Sequence, residues 1–259
     1  MLIFSELFQL ESKGPKKTEL IYNEHVKPGM TALVVGPSKF LAYDPSLLYT
    51  ALLLGNRGNL LICDPQSSKL DSQQRHNYTV RGYGDAQNVM RELEETKKLG
   101  MDLPTLEWLG PNSYIQSTGL RSESINIIVD HGTSPFVAGS LAEPTELRSR
   151  DLAKIYLEYQ RILKKGGNLL LQVNRRVFDN GKKPLGGELA TILKKFFSLS
   201  HQRVDDNFNI PATKQFIQNL STAQKQDPNL LREFFINTNY ISSINTDHFC
   251  PDLYIGKKV

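Results

Sequence analysis

Cysteine is almost missing from this chain: Cys63 and Cys250 are the only two in 259 residues. They form neither a CxxC pair nor a framework of spaced cysteines. That excludes a disulfide-stapled secreted scaffold and fits a reducing, cytoplasmic setting, with Cys63 a buried thiol inside an apolar run. Long apolar runs are missing as well. None approaches the ~18 apolar residues of a membrane span, and the N-terminal MLIFSELFQLESKGPKK reaches Glu6 too soon to form a secretory leader. Histidine, cysteine and carboxylates show no metal-ligand spacing, so no metal is expected. There is no Gly-x-Ser-x-Gly elbow and no phosphate loop ending in Gly-Lys-Ser/Thr, which disfavours hydrolase and P-loop chemistry.

What is present is a globular composition, 39% hydrophobic and 22% charged, with a formal net charge of +4. The basic residues come in separated pairs: Lys16–Lys17, Lys97–Lys98, Lys164–Lys165, Arg175–Arg176, Lys182–Lys183, Lys194–Lys195 and Lys257–Lys258. Scattered pairs read as solvated surface rather than a nucleic-acid face.

Hydrophobic patterning predicts alternating strands and helices. Residues 2–10 and 18–26 pattern as short helices separated by Gly14 and Pro15. TALVV, NLLICDP, PTLEWLGP, SINIIVDHG and NLLLQV read as five strands, with DLYIGKKV as a closing strand. Between them, DPSLLYTALLLGNRG reads as a helix with Asp44 as N-cap and a stop at Gly55 or Gly58. A second, surface-exposed helix follows Asp85 and stops at Gly100. A third, in EPTELRSRDLAKIYLEYQRILKKGG, stops at Gly166–Gly167. A further helix is expected over 185–197, and 200–246 is polar and asparagine-rich with helix-like pieces.

Strands that are apolar throughout belong to parallel sheets covered on both faces. The expectation is therefore an α/β fold, a doubly wound, mostly parallel sheet with helices on both faces. The chain is expected to be a single domain: a helical cap over 1–29, the core over 30–200, a helical insertion serving as lid and specificity element over 200–246, and the closing strand over 247–259.

In such sheets ligands bind beyond the carboxyl ends of the strands. Gly36 ends the first strand and Asp64 the second, positions where a glycine lets backbone approach a ligand and a carboxylate accepts hydrogen bonds from ribose hydroxyls. Each is also explained as an ordinary turn residue. After Gly36 come Pro37, Ser38 and Lys39 with no second glycine, which counts against a dinucleotide, whose pyrophosphate needs a glycine-rich turn.

Over about residues 27–173 the chain resembles the class I S-adenosylmethionine-dependent methyltransferases, in VKPGMTALVVGP, LLICDP, SESINIIVDHGTSPF and, most specifically, YLEYQRILKKGGNLLLQV. The resemblance implies a Rossmann-like, seven-stranded sheet with an antiparallel last strand. It also implies S-adenosyl-L-methionine as cofactor, held by Gly36, Pro37, Ser38, Asp64, Asn112 and Asp130, with His131 as catalytic base. The family's loop commonly has GxGxG spacing, of which this chain keeps the first glycine. The function it implies is methyl transfer to a small or medium organic acceptor, with no membrane partner. A methyltransferase-like binding or scaffold protein and an RNA methyltransferase are the alternatives.

Overall fold

A computed structural model describes residues 17–37, 45–64, 86–98, 101–110, 113–130, 132–134, 145–174, 186–203 and 251–259. Helix α1 (Lys17–His25) leads into strand β1 (Thr31–Val35). Then come α2 (Pro45–Leu54), β2 (Asn59–Cys63), α3 (Ala86–Lys98), β3 (Thr105–Trp108), β4 (Ile125–Asp130), α4 (Thr145–Ile162), β5 (Leu163–Asn174), α5 (Gly186–Leu193), β6 (Ser198–Arg203) and β7 (Pro251–Lys257). The strands form one sheet in the order β3-β2-β1-β4-β5-β7-β6. β1 to β5 pair in parallel, and β7 runs antiparallel between β5 and β6. The doubly wound sheet is as the hydrophobic pattern predicts, and its seven strands with an antiparallel last strand are as the resemblance implies.

The apolar strands are buried because both faces are covered. Successive side chains of a strand point to opposite faces. Ala32 and Val34 of β1 join one apolar layer with α1, α2 and α3, while Leu33 and Val35 join the other with α4 and α5. Each such fully buried side chain contributes about 1.5–3 kcal/mol relative to exposure. Helix α1 belongs to this body: Tyr22 is fully buried, its hydroxyl accepts a hydrogen bond from Gln172 Nε2 of β5 at 2.9 Å, and its ring meets Tyr49 edge-on. Helix α2 ends where expected, with Gly55 at φ +59° and its N–H donating to the Ala51 carbonyl.

Three expectations need correction. Helix α4 stops at Ile162, not at the glycine pair, because Leu163 already pairs with Ile125 of β4. Gly166–Gly167 form a bulge inside β5: Gly166 takes φ +74°, and a Cβ on Gly167 would lie 2.9 Å from the Asn126 and Lys164 carbonyl oxygens. Helix α5 is shorter than 185–197; it ends at Leu193 and a turn over 194–197 leads into β6. Strand β6 had no counterpart among the strands placed from the sequence, because SLSHQR is an edge strand with Ser198, Ser200 and His201 exposed. It carries the sheet to Arg203, into the stretch read as the start of the insertion. Helix α3 is exposed on one side only; Ala86, Val89, Glu92, Leu93 and Thr96 are buried. The expected helix over 2–10, the Asp44 and Asp85 caps and the insertion beyond Arg203 lie outside the described residues. Among the described residues no helix is long and apolar enough to cross a membrane.

Candidate cofactor site at the carboxyl edge

Strand order reverses between β1 and β4, the switch point beyond whose carboxyl ends doubly wound sheets bind ligands. Register places Val35, Cys63 and Asp130 side by side, with Gly36 and Asp64 one residue further out on β1 and β2. The sequence thus brings together Gly36, Pro37, Asp64 and Asp130 on adjacent strands. Ser38, Asn112 and His131 lie outside the described residues.

Gly36 has φ +59°, a conformation that strains any residue with a Cβ, and its N–H donates to the Cys63 carbonyl at 3.1 Å. A Cβ there would collide with Thr133 Oγ1 and fall 2.7 Å from its Cγ2. The close approach that requires glycine is therefore made by Thr133, just beyond β4. Thr133 Oγ1 donates towards the Val35 carbonyl at 3.3 Å, tying the ends of β4 and β1 together.

Asp130 holds Thr133 in place. Its Oδ1 accepts from the Thr133 N–H at 2.7 Å, its carboxylate accepts from the Ser134 N–H at 3.3 Å, and Oδ2 accepts from the Tyr159 hydroxyl at 2.9 Å. Burial pushes the Asp130 carboxyl above its ordinary pKa, and the donors from Ser134, Tyr159 and Thr133 pull against it. Beside it, Ser134 Oγ and the Tyr156 hydroxyl lie 3.2 Å apart. Burial also pushes the Cys63 thiol up to about 12, with Asp64, Asp130 and Glu158 adding to the rise, so Cys63 is an inert core thiol rather than a nucleophile.

Asp64 is 1% exposed at the end of β2. Its backbone carbonyl accepts from Trp108 Nε1 of β3 at 3.0 Å, which fixes the strand end from which its carboxylate projects. Ser113, in the loop after β3, closes that side with its hydroxyl on the Gly110 carbonyl.

Tyr156 and Tyr159 were not among the sequence candidates. Their signal is a pair of tyrosines three apart on the apolar face of α4, where hydroxyls must find partners. The described side chains at this edge are carboxylates, hydroxyls and a thiol, with no basic group among them. Among the described residues no cluster of His, Cys, Asp and Glu is placed to hold a metal ion.

The sheet order, with an antiparallel β7 between β5 and β6, is the class I S-adenosylmethionine-dependent methyltransferase fold. No family model and no curated protein matches the chain. Solved structures do. A SAM-dependent methyltransferase from Aquifex aeolicus is 20% identical, over 78% of this chain and 91% of that one, with a TM-score of 0.44. A putative rRNA methylase from Clostridium thermocellum is 14% identical, over 96% and 99%, with a TM-score of 0.46. The cyclase SpnF is 12% identical, over 93% and 79%, with a TM-score of 0.47. The fold assignment stands on the strand order and directions.

Proposed function

We propose that the protein binds S-adenosyl-L-methionine at this switch point and transfers its methyl group to a small or medium organic acceptor. The observation that carries the reading is Asp64, a buried carboxylate ending β2 beside the Gly36 turn at the point of strand reversal. A carboxylate only accepts hydrogen bonds, which suits two ribose hydroxyls. The chemistry of the edge supports the same ligand: its described charged groups are acidic, which favours a cofactor carrying a sulfonium and an ammonium over a dinucleotide whose pyrophosphate demands donors.

When bound, the cofactor supplies an electrophilic methyl group on sulfur. Asp64 would hold the ribose and Gly36 and Pro37 the cofactor's amino-acid end, to which the resemblance also assigns Ser38. Asn112 is the residue that the resemblance assigns to the adenine. Asp130 acts at one remove by fixing Thr133 against Gly36. The site's main work would be to align the acceptor with that methyl group and to exclude water. His131, next after Asp130, takes the acceptor's proton where the acceptor is a hydroxyl or a protonated amine.

Titration calorimetry with S-adenosylhomocysteine tests this. Binding is expected, and Asp64→Ala should weaken it by about 1–3 kcal/mol, the cost of a charge-assisted hydrogen bond. Absence of binding to the cofactor and its product at millimolar concentration overturns the reading. Binding without turnover on any acceptor would favour a binding or scaffold role.

A further inference from the structure

The opposite edge of the sheet carries a different chemistry. Three lysine doublets that stand far apart in the chain converge there. Lys164–Lys165 open β5, Lys257–Lys258 close β7, and Lys194–Lys195 form the turn before β6. Because β7 is antiparallel to both neighbours, its last residues meet their first ones: Lys257 is level with Asn168 of β5 and Ser198 of β6. The backbone seals the junction, with the Gly166 N–H donating to the Lys258 carbonyl at 3.1 Å and the Lys258 N–H to the Gly167 carbonyl at 2.9 Å.

Among the described residues, two of the six ammonium groups have partners. Lys164 Nζ donates to Asn126 Oδ1 at 3.1 Å, and Lys258 Nζ donates to the Leu163 carbonyl and pairs with Glu123 at 3.3 Å. Lys165, Lys194, Lys195 and Lys257 are exposed. The positive region continues to the end of α1, where Lys257 and Lys27 both act on the half-buried His25 and help burial to lower its pKa, against Glu24. Helix C-termini attract cations, which accounts for lysines following α4 and α5. It does not account for Lys257, which ends a strand.

We propose that this edge, where β5 and β6 begin and β7 ends, is a docking surface for the phosphate backbone of a nucleic-acid strand. Three strands at spacings of about 4.8 Å make a ridge roughly 10 Å wide, and phosphates recur every 3.4 Å or so along one strand of a duplex. Lysines are point charges that bind phosphate without reading bases, so the contact is independent of sequence. A lipid surface fits less well, since peripheral membrane binding combines charge with buried apolar area. Of the large apolar side chains exposed among the described residues, Leu20, Tyr114, Leu157 and Val259, only Val259 adjoins the doublets in sequence. The inference goes beyond the methyl-transfer reading and does not depend on it.

The test is fluorescence anisotropy of the full chain with a labelled single-stranded 20-nucleotide RNA of mixed sequence, across a salt series. With four phosphate contacts, the logarithm of the binding constant should fall against that of salt with a slope of about −3. The variant Lys165→Ala/Lys194→Ala/Lys195→Ala/Lys257→Ala should bind at least about tenfold more weakly at low salt, with most of the slope gone. Its melting temperature and S-adenosylhomocysteine binding should match those of the parent. The control Lys97→Ala/Lys98→Ala/Lys154→Ala, on α3 and α4, should bind RNA like the parent. No binding at low salt, an equal loss in the control, or capture by phosphatidylserine vesicles with RNA ignored would overturn the proposal.

Discussion

At the carboxyl edge, Asp64 and Asp130 end β2 and β4, both buried, around a glycine turn that Thr133 fills. At the amino edge, four exposed lysines stand on three adjacent strand ends, and Glu123 pairs with a fifth, Lys258. The two edges belong to one sheet, so the difference lies in what the fold presents at each. Helices of a doubly wound sheet direct N-termini to the carboxyl edge and C-termini to the amino edge. Acidic and basic side chains are each placed where those helix ends favour them. The carboxyl edge is preorganised, its polar groups bonded to one another, whereas Lys165, Lys194, Lys195 and Lys257 at the amino edge are exposed.

The largest test is aimed at that preorganisation. Gly36→Ala should destabilise the protein by about 2–4 kcal/mol in urea unfolding, through left-handed strain and overpacking on Thr133. In a Thr133→Ala background the cost should shrink, because Oγ1 and Cγ2 are gone; equal costs in both would mean the two loops are not coupled. Next in size is the crossed experiment. Asp64→Ala should cost about 1–3 kcal/mol in S-adenosylhomocysteine binding and leave RNA binding alone, while the four-lysine variant should do the reverse. If either substitution moves both affinities, the edges are not independent.

Glu158 lies on α4, bonded to Thr118 and Arg161. Burial alone would raise its pKa; Arg161, with two hydrogen bonds at 2.7 and 2.8 Å, and Thr118 outweigh it and hold the carboxyl below the ordinary value. A depressed folded pKa means the contribution is present above the unfolded pKa and lost as pH falls through the folded one. Glu158→Gln should therefore cost about 1–2 kcal/mol at pH 7, and the gap to the parent should close as pH falls below that of an ordinary glutamate. A gap constant with pH would show that shape rather than charge is at work. The smallest effect is expected at Tyr22→Phe, which removes the Gln172 bond without touching either edge: about 0.5–1.5 kcal/mol of stability, with both ligands bound as before.

Much of the fold was legible because burial on both faces writes itself into composition. LVV, LLIC and INIIVD could only be interior parallel strands, and their ends located Gly36, Asp64 and Asp130. β6 was illegible because an edge strand carries no such run. The glycine pair at Gly166–Gly167 misled because two glycines after a helix resemble a C-cap, whereas pairing of Leu163 with Ile125 ends the helix earlier. At the site, Tyr159 was missed because its partner is 29 residues away.

By itself the sequence determined the alternation of elements, the apolar core and which residues end each strand, since these follow from neighbours along the chain. Tertiary structure alone decided that Gly36 serves Thr133, 97 residues distant, and that Lys164, Lys194 and Lys257 share one edge. Such meetings depend on strand order and direction, which are settled by the burial of whole faces and leave no local mark on the residues they join.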